Sequence, residues 1–210
     1  MQASDGIIQQ YITYSENNKM KKATLAAFAL ICSHFLSAQQ STAQQPAPQQ
    51  PAQPAADPQA PYLRFPTIPP FHLLKLDSTT YLTKDDIKKH HAAIVMFFSP
   101  DCDHCKHQTE SILAMSKEFK DIEIVMATYQ PFEELKDFNT HYRLFEHPNF
   151  KLGRDEKFFL APFYKIRNLP YLALYDKKGD LITTFEGTQK AETLLTAFKQ
   201  NEKEKNGKEK

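Results

Sequence analysis

Ile94-Val95-Met96-Phe97-Phe98-Ser99-Pro100-Asp101-Cys102-Asp103-His104-Cys105 runs an apolar segment into two closely spaced cysteines. The apolar run 94–98 reads as a buried central strand, and residues 105–120 read as a helix with Ile112, Met115 and Phe119 on one face. Two thiols at a helix start can exchange between dithiol and disulfide. Free backbone N–H groups and the positive end of the helix dipole favour the thiolate form there, so a lowered pKa is expected for Cys102. The pattern is that of a disulfide-exchange site.

Outward from this stretch, strand and helix signals alternate. Residues 72–76 read as a first strand, 84–90 as a helical turn, and 122–128 as the strand after the cysteine helix. Residues 130–163 read as mostly helical. Pro131, Glu133 and Glu134 suit a first turn, and Leu135, Phe138 and Tyr142 share a face. A further helix is expected over 155–166, interrupted at Pro162. Phe145, Phe150, Phe158, Phe159, Phe163 and Tyr164 read as core, with an apolar wall beside the thiols as the second reading. Asn168-Leu169-Pro170 then leads into a strand through Tyr175. Lys177 to Asp180 turn it into a second strand over 181–185, and a last helix over 189–199 points Leu194, Leu195 and Phe198 inward. This order predicts an α/β fold with parallel pairing through right-handed crossovers and active groups at the carboxyl ends of strands.

Length and charge bound the rest. With 210 residues and a net charge of +1, one good-sized domain is expected, over 71–202, and no nucleic-acid partner. Met20-Lys21-Lys22, the apolar stretch 23–36 and Leu36-Ser37-Ala38 have the three regions of a secretory signal, so 20–38 is read as removed after Ala38. Residues 1–19 are then an untranslated or disordered extension. Export places the protein in the periplasm, with membrane contact only if the signal is retained. Residues 39–70, dominated by Pro, Gln and Ala, read as a semi-rigid linker, and 203–210 as a charged flexible tail. Cleavage removes Cys32 and leaves Cys102 and Cys105, too close in sequence to staple the fold and better suited to a redox pair.

Strand, Cys-x-x-Cys, helix, strand, then Leu169-Pro170 opening an antiparallel hairpin and a final helix resembles the thioredoxin fold. With its export signal, the chain is most similar to exported thioredoxins of the TlpA/ResA type over roughly 71–202. The resemblance implies a central mixed sheet flanked by helices, with a mostly helical insertion between the Cys-x-x-Cys half and the cis-proline half. It implies a cis Leu169–Pro170 bond lying against the thiols, Cys102 as the attacking sulfur and Cys105 as the resolving one. It also implies thiol:disulfide oxidoreductase activity without a bound cofactor. Substrates would be protein thiols and disulfides, and a redox partner protein would recharge the pair. A monomer is expected.

The departures from the family matter as much. Asp101 and His104 stand where the family commonly has Trp and Pro, and the chain contains no Trp. His104 resembles the imidazole of DsbA-type oxidants, which stabilises the reduced state. Asp101 and Asp103 oppose a nearby thiolate, and Lys106 and His107 offset them. Met96 occupies the place of a buried Asp that accepts a proton in thioredoxin, which leaves water, or Glu110 if it points inward, for the proton of Cys105. Two other classes stay open: a Cu(I) or Zn(II) site built from Cys102, His104, Cys105 and His107, and a non-catalytic binding module.

Overall fold

The computed structural model describes residues 60–208. The expected signal 20–38, the extension 1–19 and most of the linker lie outside the described residues. A seven-stranded mixed sheet is built from β1 (His72–Leu74), β2 (Tyr81–Thr83), β3 (Ala92–Phe97), β4 (Ile122–Thr128), β5 (Phe150–Arg154), β6 (Tyr171–Tyr175) and β7 (Leu181–Glu186). Its strand order is β2-β1-β5-β4-β3-β6-β7. β3 is parallel to β4 and β4 to β5, whereas β6 is antiparallel to both β3 and β7.

All six residues of β3 are buried, as an unbroken apolar run requires when both faces of a strand are covered. Ile94 and Met96 face one core, shared with the helices α2 (Asp103–Ala114), α3 (Phe132–His141) and α5 (Ala191–Lys208). Ala93, Val95 and Phe97 face the other, covered by α1 (Pro61–Arg64) and α4 (Leu160–Tyr164). Ile112 and Phe119 are buried and Met115 packs against them, the face expected from their spacing, although the helix proper ends at Ala114.

Several details differ from the sequence reading, and among the aromatics expected in the core Phe145 and Phe158 are instead exposed. The segment 130–163 holds α3 where a helix was expected, but also β5, inserted between β1 and β4. Phe150 and Leu152 alternate onto one core, a strand period hidden in a short aromatic-rich stretch. The helix expected over 155–166 contracts to α4. Asp155 caps it, its carboxylate accepting from the backbone N–H groups of Phe159 (3.0 Å) and Leu160 (2.8 Å), and Pro162 falls in the first turn, where a proline removes no helical bond. The folded domain begins before Phe71: Ala60 and Tyr62, assigned to the linker, are buried, and Tyr62 packs on Tyr164 at 5.9 Å. Finally, α5 takes in residues 203–208 that composition assigned to a flexible tail. Lys177 pairs with Glu202 at 2.7 Å, and Lys205 pairs with Asp176, which fastens the helix to the β6–β7 turn.

β5 reaches its place because Gly153 has no side chain. A Cβ there would stand 2.5 Å from the Cβ of Leu73 and 3.3 Å from its backbone carbonyl. Gly153→Ala is expected to destabilise the protein by roughly 1–3 kcal/mol, since the obstructing atoms belong to a buried strand and cannot swing away. Urea denaturation of the two proteins measures it, and equal midpoints would contradict the close approach.

Candidate active site

β3 delivers the chain to the carboxyl edge of the sheet, where the Phe98 N–H still bonds the Ala127 carbonyl at 3.0 Å. A tight turn follows, closed by the Cys102 N–H on the Ser99 carbonyl at 3.2 Å. Cys102 is the N-cap of α2, with extended backbone at φ −76° and ψ 115°, and its carbonyl accepts from the N–H groups of Cys105 and Lys106, both at 3.0 Å. This geometry sets the two sulfurs apart. Cys102 is partly exposed, Cys105 is 0% exposed, and both are free thiols. Burial pushes the Cys105 thiol far above the ordinary range, and its contact with Cys102 adds to the shift. Cys105 is therefore a protonated thiol at neutral pH.

The register of β6 brings in Pro170. Tyr171 pairs with Phe97, so the residues just before Tyr171 lie at the edge where the cysteine loop begins. Leu169–Pro170 is cis, and Leu169 and Cys102 pack on the same core. The loop after β7 ties these pieces together. The Gly187 N–H bonds the Pro170 carbonyl at 2.8 Å, the Thr188 hydroxyl donates to the His104 carbonyl at 3.1 Å, and the Gln189 N–H donates to Gln108 Oε1 at 2.7 Å. Gln108 is fully buried, which fixes the acceptor.

Around the thiols the charges are placed as follows. The imidazole of His104 is exposed on the first turn of α2. Asp103 bonds Lys106 at 2.9 Å, which holds its carboxyl below the usual range. Asp101 accepts a hydrogen bond from the Ser99 hydroxyl, which in turn accepts from Gln130 Nε2 at 3.1 Å, while Arg154 of β5 donates to the Gln130 carbonyl at 2.9 Å. Met96 is fully buried in the apolar core. Glu110 does not point inward: it is exposed, contacts His107 Nδ1 at 3.3 Å and accepts from the Tyr142 hydroxyl at 3.4 Å. It is no proton acceptor for Cys105, because helical spacing turns it to the solvent face. Among the described residues no group of three or more His, Cys, Asp and Glu side chains is disposed to hold a metal ion. The Cys102 and Cys105 thiols meet, but the side chains of His104 and His107 are exposed on α2 and do not join them in a ligand cluster.

The structure thus joins Cys102, Cys105 and Pro170 at one edge and leaves the His104 side chain at the rim. Ser99, Gln108, Gln130 and Thr188 were not anticipated. They carry no motif, and only the register of the folded sheet makes them neighbours.

A family model, the thioredoxin-like domain, matches residues 83–202. No curated protein matches the sequence. Among solved structures, DsbF from MTB in its mixed oxidised and reduced forms has a TM-score of 0.53 at 15% identity, over 63% of this chain and 98% of that one. A secreted disulfide oxidoreductase of Mycobacterium tuberculosis, homologous to E. coli DsbE, has a TM-score of 0.50 at 16% identity, over 61% of this chain and 94% of that one. At such identities the likeness is one of fold.

The burial of Cys105 has a pH signature. Its raised pKa keeps the proton on in the folded state while the unfolded chain loses it above about pH 8.5, so stability present below that pH is lost as pH rises. The reduced protein is expected to lose stability between roughly pH 8.5 and 10, below the range of tyrosine ionisation, and Cys105→Ala to lose less. Denaturation midpoints of both proteins across that window measure the difference. Parallel slopes would contradict a buried, protonated Cys105.

Proposed function

The chain belongs to the thioredoxin-like family, and from that premise we propose that it is an exported thiol:disulfide oxidoreductase of the TlpA/ResA type, acting on protein substrates. The observation that carries this reading is the pairing of an open sulfur at a helix N-cap with a buried, protonated one a single turn further on, beside Leu169–Pro170. Such a pair suits two-step exchange, in which one thiol attacks and its neighbour releases the product.

In the reducing direction, the Cys102 thiolate attacks a substrate disulfide. A Cys102–substrate disulfide forms, the substrate S–S bond breaks, and the first substrate sulfur leaves as thiolate. Cys105 then loses its proton to water, since Met96 and Glu110 offer no inward carboxylate, and attacks Cys102. The second substrate sulfur leaves and the Cys102–Cys105 disulfide remains. Two electrons have passed to the substrate, and a dithiol partner protein restores the pair; the oxidising direction is the reverse. Pro170 positions the extended substrate segment against Cys102. His104, on the first turn of the helix that Cys102 caps, favours the dithiol form and makes the disulfide more oxidising. The basic, apolar and small-residue sequence pattern before Gln39 supports export.

Cys102→Ser is expected to abolish reduction of a protein disulfide such as insulin, and Cys105→Ser to accumulate the mixed disulfide with substrate. Turnover by the Cys102→Ser protein would sink the assignment. His104→Ala is expected to make the potential of the pair more negative by about 30 mV or more, equivalent to a tenfold change in the exchange equilibrium. Titration in glutathione buffers measures that shift, and an unmoved potential would remove His104 from the site.

A further inference from the structure

A groove of about 470 Å³ opens between the cysteine loop and α3, reaching Asp101, the residue before Cys102. Its floor is apolar. Pro100 lines one side, and Phe138 and Tyr142, with ring centroids 4.6 Å apart, line the other. Phe138 is itself locked from below by Phe98 at 4.8 Å, so the floor is rigid. The rim carries Asp101 from the residue before Cys102, with Glu134 and Asp137 on successive turns of α3.

The charges at that rim are unbalanced. Glu134 and Asp137 are exposed and make no ion pair among the described residues. Lys106 also lines the groove, but its ammonium is taken by Asp103 at 2.9 Å. The remaining basic group, the exposed His141, lies edge-on to the Tyr142 ring at 4.7 Å. The net field is negative over an aromatic surface. A long cationic side chain fits both parts at once: its methylene stem lies on apolar rings while its head meets carboxylates, and an aromatic face attracts the cation further.

We propose that this groove is a substrate subsite that receives a lysine or arginine side chain flanking the reactive cysteine of a client protein, and so sets which disulfides the enzyme prefers. The inference rests on the thiol:disulfide reading above and names the substrate class for it. The groove adjoins Cys102 through Asp101, so an extended client segment whose sulfur is attacked by Cys102 places a neighbouring side chain over Phe138 and Tyr142. A client with an acidic residue there meets Asp101, Glu134 and Asp137 as like charges and is disfavoured.

The test uses two peptides with the same disulfide, one with Lys and one with Glu beside the cysteine, each rate normalised to the same protein's rate with a neutral small disulfide. The Lys peptide is expected to be favoured about tenfold in kcat/KM, the sum of a few exposed ionic and cation–π contacts. That preference should shrink as ionic strength rises from low to about 0.5 M, because the rim is solvent-exposed. Glu134→Gln with Asp137→Asn should bring the ratio near one, and Glu134→Lys with Asp137→Lys should invert it. Equal rates for the two peptides, or a preference that survives both double variants, would overturn the subsite. If the unaltered protein fails with the small neutral disulfide as well, the thiol-exchange reading falls and the subsite falls with it. Loss confined to the peptide ratio strikes the subsite alone.

Discussion

Cys105 is held out of water beneath a partly open Cys102 because β3 ends, fully buried on both faces, at the turn that starts α2. The chemistry depends on that burial. A thiol buried in an apolar environment keeps its proton, and Cys105 is fully buried where Cys102 at the N-cap is partly open to solvent, so the two sulfurs of one short motif become unlike. If both were open, either could attack and neither would be reserved for release. If both were buried, no substrate would reach the pair. Apolar residues on alternate positions of β3 and β4 support the arrangement from both sides, and α2, α3 and α5 close it over.

The site is also held from its periphery. The loop 187–189 grips the cis-proline segment by one hydrogen bond and α2 by two, so the strand that presents Pro170 and the helix that presents the cysteines cannot drift independently. On the other flank, Arg154, Gln130, Ser99 and Asp101 form a chain of contacts from β5 to the residue before Cys102. β5 is therefore more than a filler of the sheet. Its place between β1 and β4, allowed by Gly153, lets Arg154 reach the active edge. The same flank carries α3, whose Glu134, Asp137, Phe138 and Tyr142 line a groove with Asp101, the residue before Cys102.

Much of this was legible in the chain. The run at 94–98, the cysteine pair and the hairpin after Pro170 identify the central strands because each is long, apolar or punctuated by a turn. The cysteines and Pro170 could be matched through a resemblance that periodicity alone would not supply. What stayed hidden has a physical reason in each case. β5 is five residues long, and its alternation is buried in an aromatic stretch that also suits a helix. β1 and β2 are three residues each and gain their register from pairing. Tyr62 was lost in a proline-rich background, although one buried aromatic ring suffices to dock the segment. The extension of α5 is fixed by Lys205 and Glu202 meeting the β6–β7 turn, partners far apart in sequence. Glu110 is settled by a helical phase that only the located helix ends define.

Disulfide exchange at this edge of the sheet requires capture of one sulfur by the other. Equilibrating the protein in a series of glutathione buffers, quenching with acid and weighing the intact chain by mass spectrometry tests this directly. The expected result is a single two-electron transition from a dithiol to an internal Cys102–Cys105 disulfide, lighter by two hydrogens, with glutathionylated protein never the dominant species. A stable adduct of glutathione on Cys102, persisting while Cys105 remains a free thiol, would contradict it.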